Sequence, residues 1–493
     1  MPAGIVAWGT YLPYWRLDRK AIGLTLGSPA GRGTRTVASY DQDTTTLGVE
    51  AARRALAGLG GADGRLTPQS LLFSTPDPAY ADKTNATTIH AALGLPQATS
   101  AYDFNGSARS AWGALHAAGV LGAAQPSLAV IADLRTGLAG GAEERESGDG
   151  AAAFLMAGDG AAAEIIGHAS SSAEFLDRWR VPGDTDSRQW EERFGEGVYV
   201  PLAEAAFTDA VKAAGIPVDA IDHLVVSGLH ARAVKAVKLA LGGDGAKLAP
   251  DLTLLIGNLG AAQFGVALAD VLERAEPGQI IAVVSLADGA DAAILRTTDA
   301  LTTAQAAQRA AAAPTVSEQV AEGRTDLPYA TFLTWRGQLR REPPRRPDPD
   351  RPGAPAMHRS DAWKYGFSAS RCLVCGFRHL PPTRVCVECK SIDQMEPERI
   401  ADIQGTVATF TIDRLAFSLS PPVIGVIVDF DGGGRFRCEA TDADPAKVQI
   451  GMRVAMTFRR VYTADGVHNY FWKARPITAD VNTTEVHTTE GSN

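Results

Sequence analysis

Short apolar runs recur through the first 300 positions, each bounded by Gly, Pro or polar clusters. Most are followed by a longer stretch whose apolar residues return at helical spacing. The runs at 4–8, 71–75, 127–132, 161–166, 223–227, 253–257 and 280–285 predict strands. The stretches at 44–56, 85–93, 108–121, 202–214, 231–241 and 262–275 predict amphipathic helices. Alternation of this kind implies an α/β domain whose sheet is covered by helices. Laid side by side, the two halves repeat one another: helix, strand, helix, strand-elbow-helix, strand, strand. One elbow lies in 102–116, the other in 254–272, and a duplicated unit follows from that order. Beyond residue 400 the pattern changes. Runs at 405–412, 423–430, 435–440, 452–461 and 470–474, separated by Gly, Pro and Asp turns, predict a small β-barrel of OB type.

Between these regions the periodicity weakens. Residues 302–323 are Ala/Gln/Thr-rich and read as linker or a weakly packed helix, 327–339 as a short amphipathic docking helix, and 340–355 as a proline-rich extended connector. A length of 493 residues sets a prior of about three domains. The boundaries expected are 1–165 and 166–300 for the two halves and 301–355 for the linker with its docking helix. A metal ribbon at 356–400, a barrel at 401–478 and a disordered tail at 479–493 complete the chain. Hydrophobic content of 45% is that of a globular protein, while a net charge of -9 argues against nucleic-acid or membrane-surface partners. No apolar run reaches the roughly 18 residues a membrane span needs, and the N-terminus lacks a basic leader, so a cytoplasmic location is expected.

Chemistry is concentrated at three places. The stretch Tyr102 to His116 runs from a strand through a small-residue elbow into a helix, the arrangement that displays a nucleophile at a helix N-terminus. No cysteine precedes Cys372, so a nucleophile there would have to be Ser107 or Ser110, with a base in reach. Four of the five cysteines form Cys372-x2-Cys375 and Cys386-x2-Cys389, spacing that supplies four thiolates to a closed, structural zinc site. Asn258, at the second elbow, is either an amide donor to a developing oxyanion or a helix cap.

Several motifs add a resemblance. They are Gly9-Thr-Tyr-Leu-Pro-Tyr-Trp-Arg-Leu, Tyr40-Asp-Gln-Asp-Thr-Thr-Thr-Leu-Gly, Tyr80-Ala-Asp-Lys-Thr-Asn-Ala-Thr, Gly148-Asp-Gly-Ala-Ala-Ala-Phe-Leu and Gly257-Asn-Leu-Gly-Ala-Ala. The first 300 residues resemble the thiolase superfamily, in its 3-hydroxy-3-methylglutaryl-CoA synthase and ketoacyl synthase III branch. Residues 356–476 are similar to the zinc-ribbon plus OB-fold domains that accompany such enzymes. The resemblance implies a duplicated five-layer α-β-α-β-α thiolase fold, then a rubredoxin-like zinc ribbon and an OB barrel. It also implies acyl-CoA as substrate, with coenzyme A as the carrier, a homodimer formed through the sheet, and association with other thiolase-pathway enzymes. The synthases' asparagine maps onto Asn258. Their cysteine falls at about Ala108, their histidine at Ser227 with His230 one helical turn away, and their glutamate at Pro76-Asp77. Arg232, Lys235 and Lys238 lie on the helix that meets CoA phosphates in those relatives.

Three departures at three catalytic positions direct the functional expectation. Aldol or retro-aldol chemistry beside a thioester needs only a base and an oxyanion hole, so carbon-carbon bond formation or cleavage without a cysteine nucleophile is the leading reading. Asp77, Tyr80 and His230 are the candidate bases. A synthase-like acyltransferase using Ser107 and a non-catalytic acyl-CoA-binding scaffold are the alternatives.

Overall fold

The computed structural model describes residues 3–29, 31–59, 66–242, 247–345, 347 and 349–477. The tail expected at 479–493 therefore lies outside the described residues. The chain divides into two compact units. The first comprises 1–366 with 458–471, and the second 367–457 with 472–493.

In the first unit the period-2 runs become strands β1 (Gly4–Tyr11), β2 (Ser70–Thr75), β3 (Ser100–Asn105), β4 (Ser127–Asp133) and β5 (Gly150–Ala157). β6 (Ala163–Ser172), β7 (His223–Gly228), β8 (Ile280–Leu286) and β9 (Gly289–Thr297) follow. They form one sheet in the order β7-β8-β9-β6-β1-β5-β4-β2-β3, whose halves meet where Gly4 and Ile5 of β1 pair with Glu164 and Ala163. Pairing senses mirror each other outward from that seam: two antiparallel pairs, then parallel ones. The duplication read from the sequence is thus built into the topology.

Helices complete five layers. α1 (Thr44–Ala57) and α2 (Ala86–Leu93) cover the first half-sheet. α3 (Arg109–Gly122) and α6 (Gln263–Leu272) lie centrally, touching strands of both halves, and α4 (Glu192–Ala214) and α5 (Ala231–Gly242) cover the second half. α1 starts at a capping box in which Asp43 accepts from the Thr46 N–H and Thr46 returns a bond to the Asp43 N–H. The central layer is the core. Trp8, Leu115, Phe154, Phe264, Leu268 and Val283 are buried within it, so removing water from both faces of α3 and α6 drives the halves together.

Several expectations need correction. The run 253–257 is not a strand. Asp251 accepts from both the N–H (3.0 Å) and the hydroxyl (2.6 Å) of Thr253, and this local capping starts a helical turn, Thr253–Ile256. What is left of the second half's fifth strand is one parallel bridge, Leu224 to Leu248. α4 begins ten residues before the expected 202, because Pro201 sits inside the helix rather than ending it. Tyr199, buried against Phe175 and His230, holds the extra turns in place. Of the two readings of 302–323, linker or weakly packed helix, the structure has helix, and it is packed more firmly than expected. Helices Ala300–Ala310 and Val316–Ala321 pack Leu301 and Val316 into the main core, and Gln319 accepts from the Leu12 N–H. The docking helix is found at Tyr329–Trp335, with Tyr329 and Phe332 buried against Leu17, Ile22 and Val37. Residues 356–366, expected in the ribbon, belong to the first unit.

The second unit holds a three-stranded ribbon and the greater part of a closed barrel. The ribbon consists of β10 (Ser368–Cys372), β11 (Arg378–His379) and β12 (Met395–Arg399). The barrel runs β13 (Gly405–Asp413), β14 (Val423–Phe430), β15 (Arg435–Ala440), β16 (Arg453–Ala464) and β17 (Val467–Pro476), closed in the order β13-β14-β15-β17-β16.

Candidate functional site

At the first elbow β3 ends in Asn105, and Gly106, at φ +125°, makes a turn that a side chain would strain. α3 then starts at Arg109 behind Ala108, whose methyl group cannot cap its first N–H groups. Arg109 crosses to the other half, donating to Asp291 (2.9 Å) and to the Asp288 carbonyl (2.8 Å), while Ser170 donates to the same Asp291 (2.6 Å). Ser107 and Ala108 line a cavity of about 270 Å³, together with Pro76, Arg135, Asp177, Arg178, Arg180, Tyr199 and Asp288.

At the second elbow Gly257, at φ +81°, lies so close to the chain at Ser147 that a Cβ would meet its carbonyl oxygen at 2.3 Å. Backbone bonds Gly148 N–H to Asn258 O and Asn258 N–H to Glu146 O, both 2.8 Å, tie this elbow to the Gly148-Asp149-Gly150 motif. Asn258 donates from Nδ2 to the Gly228 carbonyl (2.8 Å) and accepts from the Gly260 N–H (3.0 Å). It lines a second cavity, of about 430 Å³, with Arg19, Glu143, Ser227, Lys235, Lys238 and Thr253. The curled 253–256 turn, where a strand was expected, forms part of this wall. Arg178 and Leu229 line both cavities and so stand where they meet.

The predicted residues are only partly brought together. Ser107 faces the elbow cavity; Asn258, Lys235 and Lys238 face the larger one. Arg232 lines neither and pairs with Glu196 at 3.1 Å. Asp77 also lines neither, approaching Arg180 at 3.9 Å. Tyr80 is engaged elsewhere in its unit: its hydroxyl accepts from the His468 N–H (2.7 Å), and the two rings lie 4.7 Å apart. His230 is buried beside the elbow cavity. Its Nδ1 accepts from the Ala233 N–H (3.1 Å) and its Nε2 lies 3.9 Å from Asp177.

Sequence reasoning missed Asp177, Arg178, Arg180, Tyr199 and Arg135. Arg135 bridges Asp133 and Glu143, and Glu143 also holds Arg178 (3.2 Å). Burial pushes the Asp133 carboxyl up to about 6, although Arg135 and the Ala261 N–H pull the other way. Burial and the neighbouring Asp177 raise the Tyr199 phenol above its ordinary value, which keeps it protonated as a donor to Asp177 (3.3 Å). The signal available was Asp177-Arg-Trp-Arg, a charged stretch outside every periodic element.

In the second unit the thiol sulfurs of Cys372, Cys375, Cys386 and Cys389 all lie within 4.8 Å of one another, with closest pairs at 3.6 and 3.5 Å. Four sulfurs about 2.3 Å from a central Zn²⁺ would stand about 3.8 Å apart, so the donor set and its spacing fit that ion.

Comparison with known proteins agrees with this geometry. The profile of the family described as "ChsH2, C-terminal OB-fold domain" matches residues 398–459. A hydroxymethylglutaryl-CoA synthase of Aeropyrum pernix is 30% identical over 353 residues, covering 68% of this chain and 95% of that protein. A DUF35 domain-containing scaffold protein of Methanothermobacter thermautotrophicus is 29% identical over 120 residues, 23% of this chain and 90% of its own. Among solved structures, PksG, an HMG-CoA synthase from Bacillus subtilis, superposes with a TM-score of 0.59 at 17% identity, covering 68% of this chain and 89% of that one. The duplicated topology, the two elbows and these likenesses together mean that the chain belongs to the hydroxymethylglutaryl-CoA synthase family of thiolase-fold proteins.

Proposed function

We propose that this protein acts on an acyl-CoA, making or breaking a carbon-carbon bond next to the thioester, by an aldol, retro-aldol or synthase-like condensation, without a cysteine nucleophile. One observation carries the reading: Ala108 stands at the start of α3 in a charge-lined cavity that adjoins the cavity of Asn258. A methyl group cannot form an acyl-enzyme, but the remaining N-terminal N–H groups of α3 still favour a developing oxyanion. Lys235 and Lys238 face the larger cavity and suit the phosphates of coenzyme A, which makes that cavity the entry for the CoA arm. A zinc ion held by the four ribbon cysteines serves structure. β3 is an edge strand with Tyr102 56% exposed, and a homodimer through that edge accords with the resemblance.

The test is intact-mass measurement after incubation with acetyl-CoA, run beside a chromatographic assay for condensation and cleavage of acyl-CoA thioesters. Turnover with no covalent adduct supports the reading. A stable acetyl group on Ser107 refutes it in favour of acyl transfer through serine. CoA binding without turnover, unchanged by Asn258→Ala, favours a scaffold, the role named for the methanogen relative that matches 120 residues of this chain.

A further inference from the structure

None of the three bases expected from the sequence lines the elbow cavity, yet that cavity contains two carboxylates, Asp177 and Asp288. Asp288 is open to solvent, whereas Asp177 is 5% exposed. One oxygen of Asp177, Oδ2, accepts from the Tyr199 hydroxyl. The other, Oδ1, is buried with no hydrogen-bond partner among the described residues. An unsatisfied buried acceptor costs roughly 1–3 kcal/mol, so one kept in a native fold points to a role such as catalysis.

Another buried atom nearby with no partner among the described residues is His230 Nε2, 3.9 Å from Oδ1. Because Nδ1 accepts from the Ala233 backbone, the neutral ring carries its proton on Nε2, on the side of Asp177. The space between them is kept by a glycine: a Cβ on residue 195 would sit 2.6 Å from Nε2 and 3.1 Å from Oδ1. Tyr199 and His230 therefore approach Asp177 from two sides, one at each carboxylate oxygen, and the residue lines the elbow cavity.

We propose that Asp177 is the base that removes the α-proton of an acyl-CoA whose acyl group occupies the elbow cavity, and that His230 is its positioning residue. This rests on the carbon-carbon reading above. In the condensing direction the α C–H bond breaks, its proton goes to the Asp177 carboxylate, and its electron pair becomes the enolate of the thioester. The enolate carbon then bonds to the second substrate's carbonyl carbon, and the alkoxide so formed takes the proton back from Asp177. In the cleaving direction Asp177 takes the hydroxyl proton, the carbon-carbon bond breaks, and the enolate is reprotonated.

The experiment is α-proton exchange in D₂O with acetyl-CoA and propionyl-CoA, using the full chain and reading deuterium by mass spectrometry, with CoA affinity from calorimetry. Wild type should exchange. Asp177→Asn should lose at least about 100-fold in rate with CoA affinity unchanged, and formate should restore exchange to Asp177→Ala, a rescue that a structural role would not produce. His230→Leu should lower kcat about tenfold at constant KM, and His230→Gln, which keeps a donor facing Asp177, should recover most of it. Asp177→Asn exchanging at the wild-type rate overturns the assignment and leaves the carbon-carbon reading standing. A wild-type chain that binds CoA but exchanges neither substrate overturns both.

Discussion

Substituting Ala108→Cys offers the sharpest probe of how the elbow meets its ligand. The new thiol would stand just before the first residue of α3, a helix of 14 residues whose N-cap, Ala108, offers no capping group. The partial positive charge of such a terminus is worth up to about 1–2 kcal/mol to an anion in a partly buried setting, which raises the thiolate fraction about 5- to 30-fold over a free cysteine. Arg109 adds little, being committed to Asp291 at 2.9 Å. The cavity's three arginines stand against its two aspartates, so the helix end is the term that decides. Incubated with acetyl-CoA and analysed by intact mass and peptide mapping, the variant should gain one acetyl group at position 108, whereas wild type gains none. Iodoacetamide should alkylate the same thiol faster than a free cysteine. An introduced thiol that alkylates readily but is never acetylated would show that the acyl arm does not reach the elbow, and the reasoning from the paired cavities would fail.

Further outcomes follow from single sites. Chelation, or Cys375→Ser, should remove one zinc per chain and deprotect the amides of 368–399 in hydrogen exchange, since a structural zinc contributes about 10 kcal/mol or more to folding. Gly260→Ala should cost roughly 3 kcal/mol in denaturant unfolding, because residue 260 is at φ +57° and a Cβ would lie 2.0 Å from Asp133 Oδ2. The Asp133 carboxyl, raised from 3.8 to about 6, binds its proton more tightly in the folded chain. Its contribution, about 3 kcal/mol, is thus fully present below 3.8 and is lost as the pH rises through 6. Asp133→Asn should flatten that limb of the stability-pH curve. Lys235→Ala with Lys238→Ala should weaken CoA binding about tenfold by calorimetry, with a smaller loss at high salt.

The sequence was most readable where period and packing agree. β1, β4, β8 and the barrel strands alternate or run apolar as their burial requires, and the duplication followed from their order. The run 253–257 misled because a short apolar stretch fits a buried strand or a helical turn equally well. The deciding group, the Asp251 carboxylate, lies outside the run, and Leu254 and Leu255 end up exposed. The helix expected at 202–214 begins earlier, at Glu192, because Pro201 is held inside it by the tertiary packing of Tyr199. At the site, Asn258 and the elbow were visible because a tight turn leaves a glycine signature. Asp177, Tyr199 and Arg135 were not, because a carboxylate in a loop, a tyrosine in a helix and an arginine beyond a strand carry no periodicity that marks them as neighbours.

The membership of 458–471 in the first unit has a consequence for how the chain is made. Arg459 pairs with Asp41 at 3.3 Å, both fully buried, and Tyr470 donates to Asp43 at 2.7 Å. During synthesis Asp41 and Asp43 emerge about 400 residues or more before these partners. The unit that contains both cavities therefore cannot reach its finished charge balance until the ribosome has passed residue 471. A chain stopped at 366 would leave the Asp41 carboxylate with its arginine missing, a loss of about 3–5 kcal/mol when such a pair is broken from one side. Completion of the acyl-CoA unit is thereby tied to synthesis of the ribbon and barrel encoded in between, and a truncated product would be marked by instability rather than released as a free-standing enzyme.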